Sequence, residues 1–243
     1  MYLPQPNQIW LGLIIGNSRL HWAKFQENSL IKYWDTDYLN PSQHDIDPQI
    51  PIILASVVPQ QTLLWQSLNN VKVITLENLS LNNLYPTLGI DRALSVLGIG
   101  VKYGWPAFVI DAGTALTFTG VDADQNLVGG AILPGLKLQF SALSQHTAAL
   151  PNLEIPSEIP SRWALETPSA IESGITYTIL AGIRDFIEAW LQDFPNSSIA
   201  ITGGDRCILF NYLKAQFPDI VAKIILTPEA VFWGLLAVNQ NHN

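Results

Sequence analysis

FVIDAGTALTFTGVDADQNLVGGAILPGLK, running from Phe108 to Lys137, carries the plan of the whole chain. Phe108-Val109-Ile110 is an apolar run fit for a buried strand, and it ends on a carboxylate, Asp111, followed at once by Ala112-Gly113-Thr114. Leu116, Phe118 and Gly120 then alternate with Thr117, Thr119 and Val121, the pattern of a second strand. Asp122 to Asn126 supplies a turn, and Leu127 to Ile132 reads as a third strand. Pro134 has a helix-compatible φ and can open a helix, and the backbone at Gly129-Gly130 and Pro134-Gly135 is free to approach a ligand closely. A Gly-Thr turn of this kind presents N–H groups and a hydroxyl to phosphate oxygens, while a neighbouring Asp can hold a cation. The same four residues also fit an ordinary hairpin with a Gly turn and a capping Asp.

A second stretch repeats the plan. Leu13-Ile14-Ile15-Gly16-Asn17-Ser18-Arg19-Leu20-His21-Trp22 is again an apolar strand, a Gly turn with small polar residues, and an alternating strand. Superposed, Gly16 falls on Gly113, Asn17 on Thr114 and Ile14 on Asp111. Two such loops imply two similar halves facing each other across a cleft, an architecture that resembles the acetate and sugar kinase, Hsc70 and actin superfamily. The expected fold class is therefore α/β: two ribonuclease-H-like domains with mixed sheets facing a nucleotide cleft, an actin-like ATPase fold. The domains are expected at 1–106 and 107–243.

The chain has 243 residues, 48% of them hydrophobic and only 13% charged, which argues for a compact, well-buried fold. Its net charge of −8 argues against a non-specific nucleic-acid surface. One cysteine, Cys207, excludes an intrachain disulfide and a Cys-rich zinc site. His21, His44, His146 and His242 lack metal-ligand spacing and read as surface or packing residues, and the eight tryptophans read as packing residues. The N-terminal residues carry no basic or apolar leader pattern and no apolar run suits a membrane span, so the expected location is the cytoplasm.

In order, strands are expected at Ile9–Ile15, Arg19–Phe25 and Leu30–Trp34, then at 51–56 and Val71–Leu76, with a helix at Gln60–Leu68 presenting Leu63, Leu64 and Leu68 on one face. Strands alternating with helices after a meander predict a mixed sheet. Tyr85-Pro86-Thr87-Leu88-Gly89-Ile90-Asp91-Arg92 runs into a helix patterned on Leu94, Leu97 and Val101. Its Asp91-Arg92 pair reads either as an N-terminal cap or as a site where the arginine reaches an anion. Further helices are expected at 136–145, from Thr167-Pro168 to about Leu191, around Leu209 and Leu213, and at 228–238. Strands are expected at Ser198–Ile201 and Ile224–Leu226. The Thr202-Gly203-Gly204-Asp205 turn fits a nucleotide contact and equally an ordinary strand-to-helix turn. No GxxxxGK[ST] loop and no protein-kinase motif set occurs.

Four stretches in this order, IGNSRLHW, LGIDRALS, IDAGTALTFTGVDADQNLVGGAILPGL and TPSAIESG, resemble the motifs of type III pantothenate kinase. The resemblance implies a homodimer of two ribonuclease-H-like domains. It would use ATP, magnesium with the ATP, and a monovalent cation (potassium or ammonium) to phosphorylate pantothenate in the first step of coenzyme A synthesis. It also implies roles for residues: Asp91 as proton acceptor; Gly89, Ile90, Asp91, Arg92, Thr167 and Tyr85 at pantothenate; Asp111 on the monovalent cation; Thr114 on the nucleotide. The segment Ile14, Ile15, Gly16, Asn17, Ser18, Arg19, Leu20 and His21 would hold ATP phosphates. One departure stands out. The family's first motif reads D-x-G-N-[TS], and Ile14 occupies the Asp position. A nucleotide-binding regulatory protein of the same fold, with kinase activity lost, and a kinase for another small hydroxyl substrate are the competing readings.

Overall fold

A computed structural model describes residues 9–43 and 46–241. The expected meanders form: β1 (Ile9–Ile15), β2 (Leu20–Gln26) and β3 (Ser29–Thr36) in one sheet, β6 (Ala107–Ala112), β7 (Ala115–Val121) and β8 (Leu127–Pro134) in another. The first sheet has the order β3-β2-β1-β4-β5, completed by β4 (Ile52–Ser56) and β5 (Val71–Val73). The second, read from β8, has the order β8-β7-β6-β9-β10, completed by β9 (Ser198–Thr202) and β10 (Ile224–Leu226). Strand for strand the two sheets have the same plan. In each, the first strand pairs antiparallel with the second and parallel with the fourth.

The central strand β1 is apolar because both of its faces are covered. Leu11, Leu13 and Ile15 enter a core with Trp22, Leu54 and Trp65. On the other face, a Cβ on Gly12 would lie 2.6 Å from Leu235. The edge strand β3 is half-exposed. Helix α2 (Ile90–Tyr103) is buried along most of its length, and its Gly98 meets Gly234 of α7 (Ala230–Asn241) at a close helix crossing.

In the second sheet, the 27-residue α4 (Thr167–Asp193) buries Ile171, Ile175, Ile179, Ile183 and Ile187 at helical spacing against Phe108, Ile110, Phe118 and Ile201. Gly120 leaves room for the Trp190 ring, which stacks on Phe108 with centroids 5.1 Å apart. Around it lie α3 (Leu136–His146), α5 (Arg206–Gln216) and the short α6 (Pro218–Val221).

Several expectations are corrected. The chain divides into one unit of 1–103, 125–127 and 229–243 and another of 104–124 and 128–228, instead of at 106/107. Helix α7 joins the first unit because it packs on α2, and the Gln125–Leu127 turn joins it through backbone hydrogen bonds with Asn82. Helix α1 (Pro59–Trp65) is shorter than expected and turns Trp65 inward, leaving Leu63 and Leu64 exposed. Val101 of α2 is exposed as well, and Leu76 belongs to a 3-10 turn, Leu76–Asn78, beyond β5. Pro134 ends β8, and α3 begins after Gly135. Trp163 is 88% exposed, so not every tryptophan packs. His146 lies exposed at the end of α3, and the reading of His44 and His242 falls outside the described residues.

The glycine crossing predicts opposite signs for two Gly→Ala changes. A Cβ on Gly234 would sit 2.0 Å from the Leu94 carbonyl oxygen, so Gly234→Ala is expected to cost about 1–3 kcal/mol through overpacking. A Cβ on Gly182 of α4 meets nothing within 4 Å, so Gly182→Ala should stabilise by about 0.5–1 kcal/mol. Urea unfolding midpoints read both, and a neutral Gly234→Ala would deny the close crossing.

Candidate functional site

In the first unit the site is built around the β1–β2 turn. Gly16 N–H donates to the Arg19 carbonyl at 3.1 Å, closing a four-residue loop, Gly16–Arg19, between the paired Ile15 and Leu20. Asn17, Ser18 and Arg19 are exposed, so their polar groups face solvent, while Ile14, Ile15 and Leu20 are buried in the strands that carry the loop. The Tyr38 hydroxyl donates to the Gly16 carbonyl, and burial pushes the Tyr38 phenol above its ordinary pKa.

Register places His21 beside this turn. Ile14 lies directly opposite His21, and His21 directly opposite Asp35, so the three side chains form one row on one face across β1, β2 and β3. His21 Nδ1 lies 2.8 Å from Asp35 Oδ1. Its Nε2 reaches the turn: a Cβ on Gly16 would be only 3.1 Å from it. His21 is thus a half-exposed residue that packs at the turn, within the reading of the histidines as surface or packing residues. Asp35, absent from the sequence-derived site, joins it through strand pairing alone.

Asp91 occupies the first turn of α2, where the helix dipole favours a carboxylate. The Arg92 amide donates to Asp91 Oδ1 at 2.8 Å. Burial nevertheless pushes the Asp91 carboxyl above the usual carboxylate range. The Arg92 amide and guanidinium, Asp91's own amide and the charge of His21 offset this only in part. A Cβ on Gly89 would lie 2.6 Å from Asp91 Oδ1, so a side chain there would displace the carboxylate. Ile90 is buried. Arg92 is 7% exposed, and its Nη1 donates to the Tyr85 hydroxyl at 3.1 Å. The GIDR stretch, Tyr85, the Gly16 turn and His21 are thus parts of one constellation in this unit.

In the second unit Asp111 sits on β6 opposite Thr117 of β7 and Thr202 of β9. Gly113 N–H donates to the Ala115 carbonyl at 3.1 Å, closing a three-residue loop, Gly113–Ala115, that exposes Thr114. Gly135 packs against this loop, where a Cβ would lie 2.0 Å from the Gly113 carbonyl oxygen; its smallness serves the protein's own backbone. Gly203, with φ of +90°, lies so close to β6 that a Cβ would be 2.5 Å from Asp111 Oδ1. Asp205 N–H donates to the Ala112 carbonyl at 2.8 Å. Burial pushes the Asp205 carboxyl up, and the charge of Lys137 partly offsets this. Asp205 and Lys137 had no part in the site read from sequence; the TGGD turn was the one signal pointing to Asp205. Thr167 stands exposed at the start of α4, outside these hydrogen bonds.

Asp111, with threonine and backbone oxygens beside it, offers hard oxygen ligands suited to a monovalent cation. Among the described residues, no group of three or more His, Cys, Asp or Glu side chains gathers in a form that could hold a metal ion.

The family model for type III pantothenate kinase matches residues 10–189. A type III pantothenate kinase of Nostoc sp. is 49% identical, with 94% of this chain and 94% of that protein covered. Among solved structures, a protein from Campylobacter jejuni described as a Baf family transcriptional activator aligns with a TM-score of 0.71 at 21% identity, covering 96% of this chain and 98% of its own. MreB 5 of Spiroplasma citri bound to AMPPNP aligns with a TM-score of 0.53 at 11% identity, covering 98% of each chain. These structural likenesses bear on the fold alone, and they agree with the actin-like ATPase plan read from the duplicated sheets.

Because Asp91 is raised mainly by burial, its ionised form costs stability. The folded protein keeps the proton to higher pH than the unfolded chain does, so stability from this group falls as pH rises between the unfolded and folded pKa values. Asp91→Asn is therefore expected to raise the melting temperature at pH 7, and the gain should vanish below the unfolded carboxylate pKa of about 3.9. Thermal melts of both proteins across this range check the sign.

Proposed function

Since the chain belongs to the type III pantothenate kinase family, we propose that it transfers the γ-phosphoryl group of ATP to the primary hydroxyl of pantothenate, giving 4′-phosphopantothenate in the first step of coenzyme A biosynthesis. The observation that carries the reading is the half-buried Asp91 carboxylate in the GIDR stretch, raised in pKa by its partial burial and set in the same unit as the Gly16 turn. Phosphoryl transfer needs positioned reactants, screened phosphate charge and a group to take one proton. Asp91 takes the hydroxyl proton. Its raised pKa makes it a better base than an ordinary carboxylate. Gly89, Ile90, Arg92 and Tyr85 shape the pantothenate side, with Thr167 as a further contact, and the buried Arg92 is held in place by Tyr85. The segment from Ile14 to His21 receives ATP phosphates on the turn's backbone and polar groups, and Thr114 contacts the nucleotide.

A potassium or ammonium ion at Asp111 would offset phosphate charge. Magnesium would accompany ATP and screen its phosphate charge, and the Ile14 side chain would offer it no oxygen. The working form is a homodimer, and its place is the cytoplasm; among the described residues no helix is long and apolar enough to cross a membrane. The net charge of −8 speaks against a nucleic-acid partner.

Coupled ADP release, measured with and without pantothenate, tests the activity. Release that ignores pantothenate would favour another acceptor, and nucleotide binding without release would favour a regulatory protein. Asp91→Asn should lower turnover about 10²–10⁴-fold while ATP still binds, the range expected for loss of a proton acceptor. Asp111→Asn should instead abolish the response to potassium or ammonium, and an unchanged response would remove the cation from that residue.

A further inference from the structure

Two residues past the end of β3, Tyr38 makes a contact that the reaction as described so far leaves unused. Strand pairing sets Thr36, the last residue of β3, opposite Leu20, the first residue of β2. The Trp22 indole N–H donates to the Thr36 hydroxyl at 3.1 Å and holds that strand end in place. The chain therefore leaves β3 level with the Gly16–Arg19 turn, and Tyr38 packs half-buried against the core of Trp22, Leu54 and Trp65. From there its hydroxyl donates to the Gly16 carbonyl. Burial raises the phenol pKa, so the hydroxyl stays protonated and keeps its donor throughout the neutral range.

The Gly16 carbonyl shares one peptide plane with the Asn17 N–H. In a trans peptide the two groups point in opposite directions, so fixing one fixes the other. Asn17 is exposed and, among the described residues, makes no hydrogen bond. We propose that Tyr38 is a positioning residue: it locks the Gly16–Asn17 peptide with the carbonyl turned to the phenol and the N–H turned out to the ATP phosphates. The inference rests on the reading of the Gly16 turn as the phosphate turn. Only one of the two peptide orientations suits that ligand, because an N–H attracts phosphate oxygens and a carbonyl oxygen repels them. Glycine has no Cβ to restrict its backbone rotation, so the flip is open to this peptide unless something holds it. Without the phenol, a fraction of molecules would present the carbonyl, and the apparent affinity for ATP would fall with the fraction that still presents the N–H. The phenol thus acts on ATP through the peptide and has no need to touch the nucleotide.

Tyr38→Phe removes the donor and keeps the ring that packs on the core. It is expected to raise the KM for ATP, and the Kd for ATP read by calorimetry, about 3–10-fold. The KM for pantothenate and kcat should change less than about twofold. A part confined to the scaffold makes different demands: it would lower the melting temperature and leave both ATP constants at their wild-type values, and that outcome overturns the proposal. An equal rise in the KM values for ATP and pantothenate overturns it as well, since the lock acts on one substrate only. If Tyr38→Phe does not fold, Tyr38→Leu, equally unable to donate, is expected to show the same selective loss. Failure of both variants to fold would assign the phenol to the scaffold and defeat the lock. The amide resonance of Asn17 in 15N-labelled protein separates the two layers. Wild-type protein that binds ATP with no shift at Asn17 defeats the reading of the turn itself. A wild-type shift at Asn17 beside unchanged ATP affinity in Tyr38→Phe defeats only the lock.

Discussion

A glycine amide turned back onto a carbonyl closes each of the two hairpins on which the molecule's chemistry depends. Gly16 N–H meets the Arg19 carbonyl, and Gly113 N–H meets the Ala115 carbonyl, both at 3.1 Å. These short closures pin strand register, and in a sheet a slip of one residue would turn every side chain to the opposite face. Register in turn decides which groups share a row: Ile14, His21 and Asp35 in the first unit; Asp111, Thr117 and Thr202 in the second. The constellations are thus consequences of hairpin geometry, with no need for the residues to be near in sequence.

The site also works against the stability of its own scaffold. Asp91 begins a helix that is buried along most of its length, and the burial that makes its carboxyl a better base also makes its ionised form unfavourable. The helix dipole, the amide bond at 2.8 Å and the neighbouring Arg92 hold the charge there without cancelling the cost. The same helix packs closely on α7 at Gly98 and Gly234. Partial desolvation at the start of a packed helix is thus what raises the basicity of this carboxyl.

Much of this was legible in the sequence for a physical reason: apolar runs, alternation and Gly turns are local signals, and they gave both meanders and the internal repeat. The motif stretches likewise pointed to Asp91, Asp111 and the Gly16 turn. Properties that depend on distant parts of the chain were not legible. His21 and Asp35 are 14 residues apart and meet only because β2 and β3 pair in one register. The inward face of α1 could not be told from Leu63 and Leu64, since the large ring of Trp65 fills the core that they would otherwise have entered. Helix α7 is last in the chain yet packs in the first unit, through a glycine contact that no periodicity announces.

The two halves share strand order, but their loops have diverged, and the divergence bears on how each could act. The first loop is four residues long and the second three, counted between the pairs Ile15–Leu20 and Ala112–Leu116. At the equivalent place before the loop, one half carries Ile14, 2% exposed, and the other carries Asp111, half-buried and opposite Thr117 and Thr202. A carboxylate at Ile14 would lie directly across from His21 and would compete with Asp35 for the imidazole. With an apolar side chain there, Asp35 is the carboxylate that register sets opposite the ring, and Nε2 is left facing the turn. Ile14 therefore leaves Asp35 as the one carboxylate in its row across β1, β2 and β3, whereas the equivalent place in the second half carries the carboxylate Asp111 between Thr117 and Thr202.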